Sequence, residues 1–156
     1  MSTIPAEWNE QVAYLISERA YLLHTEGRFQ ESLSLFEGLS EIDPENLYVR
    51  DAISALYLSL GNPPETIRHA SRIIASAPNY TNAFLRRCEA YLLLGMSEEA
   101  KEDLERLREL GAHRQAQRME MRWMAVRKKQ TVRTKKHFNK LLTRASNPQL
   151  YGIEKR

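Results

Sequence analysis

GRFQESLSLFEGLSEIDPEN, residues 27–46, reads as one amphipathic helix between two breakers, Gly27 ahead of it and Pro44 behind it. Thirty-four residues further on, GNPPETIRHASRIIASAPNY (61–80) places Gly61 and Pro78 in the same relation, and Gly95 opens a third copy, GMSEEAKEDLERLREL (95–110). The shared phases extend outward from the glycines. Leu23, Tyr57 and Tyr91 stand four residues before them, Phe36, Ala70 and Leu104 nine after, and Leu39, Ile73 and Leu107 twelve after. Glycine supplies a turn in which φ must be positive, and proline ends a helix because it lacks an N–H and crowds the preceding turn. Each unit is therefore expected to fold as an α-hairpin, with apolar residues at spacings of three and four, such as Ile16, Ala20 and Leu23, facing inward. One hairpin cannot bury both of its faces, whereas three stacked ones can.

Composition agrees with an all-α chain: the 156 residues include only six glycines and six prolines. No apolar run approaches the ~20 residues needed to span a bilayer. The start, MSTIPAEWNEQ, has neither a basic n-region nor an apolar h-region, and the expected location is cytoplasmic. A single cysteine, Cys88, excludes an intramolecular disulfide.

The net charge of +3 conceals a split. Residues 1–110 carry 10 Lys/Arg against 18 Asp/Glu, a net of −8, and residues 111–156 carry 13 against 2, a net of +11. An acidic body is joined to a basic tail, a pattern that points to a partner for the charged segment or else serves solubility or self-association of the two halves.

Chemistry is sparse. His24, His69, His113 and His137 are far apart in sequence, with no HxxxH, no HExxH and no second cysteine beside them. Cys88 falls at a small-residue packing position and is expected to be a buried, inert thiol. The run Glu98, Glu99, Glu102, Asp103 and Glu105 reads as a solvated helix start favoured by the macrodipole. No phosphate-cradling glycine loop is present. These readings predict no catalytic residues, no metal and no cofactor, and the chain is not expected to be an enzyme.

A 34-residue period with two helices per unit, glycine at the inner turn, aromatic residues before it and proline at the end resembles the tetratricopeptide repeat family. The resemblance covers about Ala13–Gly111 and implies an α-α superhelix of three hairpins with a C-terminal capping helix. The expected organisation is a lead-in (1–12), repeats at 13–46, 47–80 and 81–111, a capping and basic helix at 112–145, and a flexible tail at 146–156. Ala20, Ser54 and Cys88 take the small-residue position of each first helix. Ser32 and Thr66 stand where alanine is common, and Asn62-Pro63-Pro64 replaces an aromatic, which should loosen packing locally.

Carrying the family's inward-facing positions onto this sequence implies a concave wall of Tyr14, Ser17, Tyr21, His24, Tyr48, Asp51, Ala55, Leu58, Asn82, Leu85, Arg86 and Glu89, with Leu92 beside them. Members that grip a terminal carboxylate use lysines, asparagines and an arginine. Here the matching positions hold Ser17, Tyr21, Ala52, Asn82 and Arg86, of which only Arg86 and Asn82 suit that task. A Tyr- and Leu-rich wall suits an extended, partly apolar peptide. With IDPENLYVRDAISALYLSLGN (42–62), it is similar to the class II chaperones of bacterial type III secretion systems, which hold translocator segments before export.

In the tail, Met119, Trp123 and Val126 form one apolar stripe, and Phe138, Leu141, Leu142 and Ala145 another. The first is expected to seal the last repeat, with Trp123 docked against it. The run VRKKQTVRTKK (126–136) exceeds what sealing needs. Arg127, Lys128, Lys129, Arg133, Lys135, Lys136 and Lys140 are candidates for contact with the acidic body, nucleic-acid phosphates or an anionic membrane, the alternative being a solvated charge run with no binding role.

Overall fold

The computed structural model describes residues 10–145, with no side-chain description for 142–145. Both the expected tail at 146–156 and residues 1–9 of the expected lead-in lie outside the described residues. Seven helices follow one another: α1 (Glu10–Thr25), α2 (Phe29–Ile42), α3 (Leu47–Ser59), α4 (Pro63–Ser76), α5 (Thr81–Leu94), α6 (Ser97–Glu109) and α7 (His113–Ala145). Helix α1 begins at Glu10, three residues ahead of the expected first repeat.

One turn is used four times. Gly27, Gly61, Gly95 and Gly111 all have φ between +71° and +77°. At each, the residue after the glycine donates its N–H to a carbonyl five residues back: Arg28 to Leu23, Asn62 to Tyr57, Met96 to Tyr91 and Ala112 to Leu107, all at 2.9 Å. This is the glycine-dependent C-terminal cap that satisfies the last carbonyls of a helix. The fourth copy joins α6 to α7, so α7 folds back as sharply as the second helix of a hairpin does.

Between hairpins the chain needs a stop and a restart. Asn46 provides the restart for α3, its side-chain oxygen accepting from the N–H groups of Tyr48 (3.1 Å) and Val49 (3.3 Å). Asn62 caps α4 in the same way through Glu65 N–H, and Pro63 and Pro64 occupy the first helical positions, where a missing N–H is harmless.

The two helices of each hairpin cross at a pair of small residues twelve apart. Ser32 Oγ donates to Ala20 O (2.7 Å), Ser54 Oγ to Thr66 O (3.4 Å) and Cys88 Sγ to Ala100 O (3.5 Å). The loosening expected from Ser32 and Thr66 is not found: both are fully buried, and each hydroxyl is satisfied by a carbonyl. Around these crossings lie the larger apolar groups, including Leu33, Phe36, Leu39, Ile53 and Leu56 in one cluster and Leu92, Leu104, Leu107 and Met119 in another. Full burial of such a side chain stabilises by about 1.5–3 kcal/mol.

Asp103 corrects the reading of the acidic run. It is 1% exposed and forks with Arg87 of α5, at 2.7 Å (Nη2 to Oδ1) and 3.0 Å (Nε to Oδ2). Its position, three residues after Ala100 and one before Leu104, faces the hairpin interior, where only a guanidinium makes a carboxylate tolerable. The carboxylate in turn holds the Arg87 pKa above its ordinary value.

Helix α7 packs on both α5 and α6. Ala112, Ala116 and Met119 are buried, and Trp123 and Val126 pack beside them. The Trp123 indole donates to Ser97 O at 2.7 Å. Gln130 makes the last anchor, its amide donating to Gly95 O and its oxygen accepting from Ser97 Oγ. From Thr131 to Leu141 every side chain is exposed.

Candidate functional site: a pocket in the inner row of helices

Contacts run from α3 to α5 and from α5 to α7, making these an inner row on which the second helices pack. A pocket of about 160 Å³ opens on this row. Helix α1 supplies Tyr21 and His24, α3 supplies Tyr48, Asp51, Ala52 and Ala55, and α5 supplies Arg86, with Phe36 and Leu56 reaching in from the core. Six of the sequence-derived candidates, Tyr21, His24, Tyr48, Asp51, Ala55 and Arg86, thus meet in one place.

Their roles differ. Tyr21 and Tyr48 are 57% and 53% exposed, large rings held at the mouth by helical backbone rather than by burial. Tyr48 stands edge-on to Phe36, with centroids 6.0 Å apart. His24 tilts against Phe29 (5.3 Å), and its Nε2 lies 3.4 Å from Ser59 Oγ. At the floor, Asp51 is 8% exposed. Burial pushes its carboxyl above the usual carboxylate range, against the pull of Arg86 and Asn82. Neither partner is close: Arg86 Nε is 3.5 Å from Oδ1, and Asn82 Nδ2 is 3.5 Å from Oδ2.

The remaining candidates are placed around this centre or away from it. Glu89 forms an ion pair with Arg122, tying α5 to α7. Leu85 packs on the core cluster that contains Leu92, which is itself buried, and Leu58 is half-buried. Tyr14 is exposed, and Ser17 is spent on a bond to Ala13 O at 2.9 Å. Phe36 and Leu56 are not among the wall candidates: Phe36 reads from the sequence only as one of the repeated apolar phases, and Ala52 matches only a position of the carboxylate-gripping members.

Cys88 is fully buried, and burial pushes its thiol up to about 12, so at neutral pH it stays a thiol. Among the described residues no three His, Cys, Asp or Glu side chains converge as a metal site, and no helix is long and apolar enough to cross a membrane.

The basic candidates sit apart. Arg127 lies over the Trp123 ring, 4.8 Å from its centroid. Within the described residues no carboxylate lies in ion-pair reach of Arg127, Lys128, Lys129, Arg133, Lys135, Lys136 or Lys140, whereas Arg28, Arg50, Arg68, Arg86, Arg87, Arg106, Arg108 and Arg122 all have one.

No protein-family model matches the chain. The first TPR of Spaghetti (RPAP3), solved with the HSP90 peptide SRMEEVD, superposes with a TM-score of 0.67 at 24% identity, over 76% of this chain and 95% of that one. The chain has the tetratricopeptide-repeat fold. PcrH in complex with the chaperone binding region of PopD shares this arrangement, with a TM-score of 0.70 at 17% identity over 81% of this chain and 99% of that chain. In sequence, DnaJ homolog subfamily C member 3 of Bos taurus is 30% identical over 96 residues, which is 59% of this chain and 19% of that protein. The tetratricopeptide chain described here therefore spans under a fifth of that relative.

Proposed function

We propose that this protein is a non-catalytic tetratricopeptide module that binds an extended peptide segment along its inner row of helices, as a chaperone of the class II type III secretion kind. The observation that carries this reading is the pocket: two exposed tyrosines at the mouth, an apolar wall of Phe36 and Leu56, and a buried charged floor. Tyrosine gives large contact area at low entropic cost, a property suited to gripping a polypeptide and of little use to a bare surface. Structures of the same fold support it, since PcrH was solved with a PopD segment and RPAP3 with an HSP90 peptide. The domain organisation that goes with this function is three peptide-facing hairpins over residues 13–111 sealed by α7.

The test is a peptide display library panned on the full chain, with the selected peptides measured on wild type and on the Tyr21→Ala, Tyr48→Ala double variant. Binding lost at unchanged helicity is the expected result. Binding retained by the double variant removes the pocket from the function.

A second reading is favoured by one feature, the run of basic side chains from Arg127 to Lys140, for which no carboxylate lies in ion-pair reach among the described residues. In it, α7 is the affinity element of an adaptor for nucleic acid or an anionic membrane. It requires binding that weakens steeply with salt and disappears when residues 127–156 are removed.

A further inference from the structure

Helix α5 carries two adjacent arginines that face opposite ways, and each meets one buried aspartate. Arg87 and Asp103 form a closed pair, two short parallel bonds, with Ser71 Oγ accepting from Arg87 Nη1 at 3.1 Å. Arg86 and Asp51 form an open one. Their 3.5 Å separation exceeds the 2.7–2.9 Å of a formed charge-assisted bond. Asp51 Oδ1 and Arg86 Nε are both buried, and neither has a hydrogen-bond partner among the described residues. Buried polar groups in folded proteins are satisfied as a rule, and a carboxylate left short of donors is destabilising. The closed pair has a structural explanation; the open one lacks it, and it lines the pocket.

We infer that Asp51 and Arg86 form a main-chain clamp: the C=O of one extended ligand residue accepts from the Arg86 guanidinium, and the N–H of the same residue donates to Asp51. In an extended chain a residue's own N–H and C=O lie on one edge, which is how antiparallel strands exchange both bonds between two residues. The pair offers the matching acceptor and donor side by side. The Arg86 side chain is 29% exposed, so its head can turn to the ligand without backbone movement. The ligand side chain enters between Tyr21, Tyr48 and Phe36. The same pair selects against a terminal carboxylate, which would face Asp51 as well as Arg86. The ligand is therefore an internal segment of a protein, held by its backbone, with an apolar side chain in the pocket.

This inference rests on the peptide-groove reading, and the experiment separates the two. Three probes are titrated into the isotopically labelled full chain and followed by NMR: acetyl-Ala-Leu-Ala-methylamide, its analogue with an Nα-methylated leucine, and acetyl-Ala-Leu with a free C-terminal carboxylate. The first probe shifts resonances of Tyr21, Tyr48 and Arg86, while the other two bind about fivefold more weakly, the scale of one hydrogen bond. Asp51→Asn narrows the gap between the methylamide and the carboxylate probe, which a merely structural aspartate would not do. Equal affinity for the three probes, or an unchanged gap in Asp51→Asn, overturns the clamp and leaves the groove standing. No perturbation of Tyr21 and Tyr48 by any probe overturns both.

Discussion

The contrast between the two aspartate–arginine pairs makes a stability prediction that needs no ligand. Asp103→Ala removes a carboxylate that is 1% exposed and leaves Arg87, 22% exposed at its side chain, without its fork. Removing one partner of a buried pair costs about 3–5 kcal/mol. Arg87 retains partial hydration, Ser71, and positions over the Phe84 and Tyr91 rings at 5.7 and 5.9 Å, and alanine is the better helix former within α6. These offsets bring the expected loss to about 2–3 kcal/mol. Asp51→Ala removes two contacts at the limit of hydrogen-bond length and frees Arg86 to turn into the pocket. Its expected loss is under about 1 kcal/mol. Urea unfolding at neutral pH, followed by far-UV circular dichroism, gives both values. An Asp51→Ala loss equal to that of Asp103→Ala would refute the division into a structural and a functional pair. So would an Asp103→Ala loss below about 1 kcal/mol, because the fork would then contribute no more than a surface ion pair. Replacing both members with apolar residues, Arg87→Met with Asp103→Leu, is expected to recover most of the stability, since no uncompensated charge remains.

Two further predictions concern the backbone and pH. Gly38 lies inside α2 with open space where a Cβ would stand, so Gly38→Ala should stabilise by about 0.5–1 kcal/mol; Gly95 has φ +74° and Gln130 Nε2 at 3.2 Å from that position, so Gly95→Ala should cost about 1–2 kcal/mol, both measured by the same unfolding assay. His69 stacks on Tyr57 with centroids 5.1 Å apart, and burial, then the neighbouring Arg68, lowers its pKa against the pull of Glu65. Because the folded value lies below the unfolded one, this contribution is complete above the ordinary histidine pKa near 6.5 and is lost as pH falls through the depressed folded value. Thermal melts of wild type should therefore lose stability below that point relative to His69→Gln; parallel pH profiles would show that His69 is not the titrating group.

What could be read from the sequence was whatever depends on periodicity. The glycine phase at 27, 61 and 95 set the hairpins, and the small residues Ala20, Ser54 and Cys88 marked the crossings, because both follow from spacing along one chain. The Ser32 bond was legible in principle, as each crossing pairs positions twelve apart, and so was that of Thr66, whose hydroxyl reaches back four residues to Asn62 O, yet both side chains looked like defects until their acceptors were seen. Asp103 was hidden by its neighbours: in a run of five acids only one turns inward, and the signal was its phase relative to Ala100 and Leu104 rather than its type. The pocket was legible as residues but not as a place. Tyr21, Tyr48 and Arg86 come from three helices, and their convergence is set by how the hairpins stack.

Charge distribution links these features. In the body, seven arginines have carboxylates in reach, so its excess acidity comes from carboxylates left over after pairing. On α7 the order is inverted, since residues 121–145 contain no Asp or Glu at all. The anchors of α7 on the body are Trp123, Val126 and Gln130, and beyond them Glu98 lines an open cleft with Arg127 and Lys135 without an ion pair to either. A protein that used those cations to hold itself together would have placed them over α5 and α6, where Arg122 already bridges to Glu89 and Arg108 to Glu120. Removing residues 131–156 is expected to lower the helical signal while leaving the unfolding midpoint of the body unchanged. A midpoint that falls with the truncation would mean that the segment packs against the repeats after all.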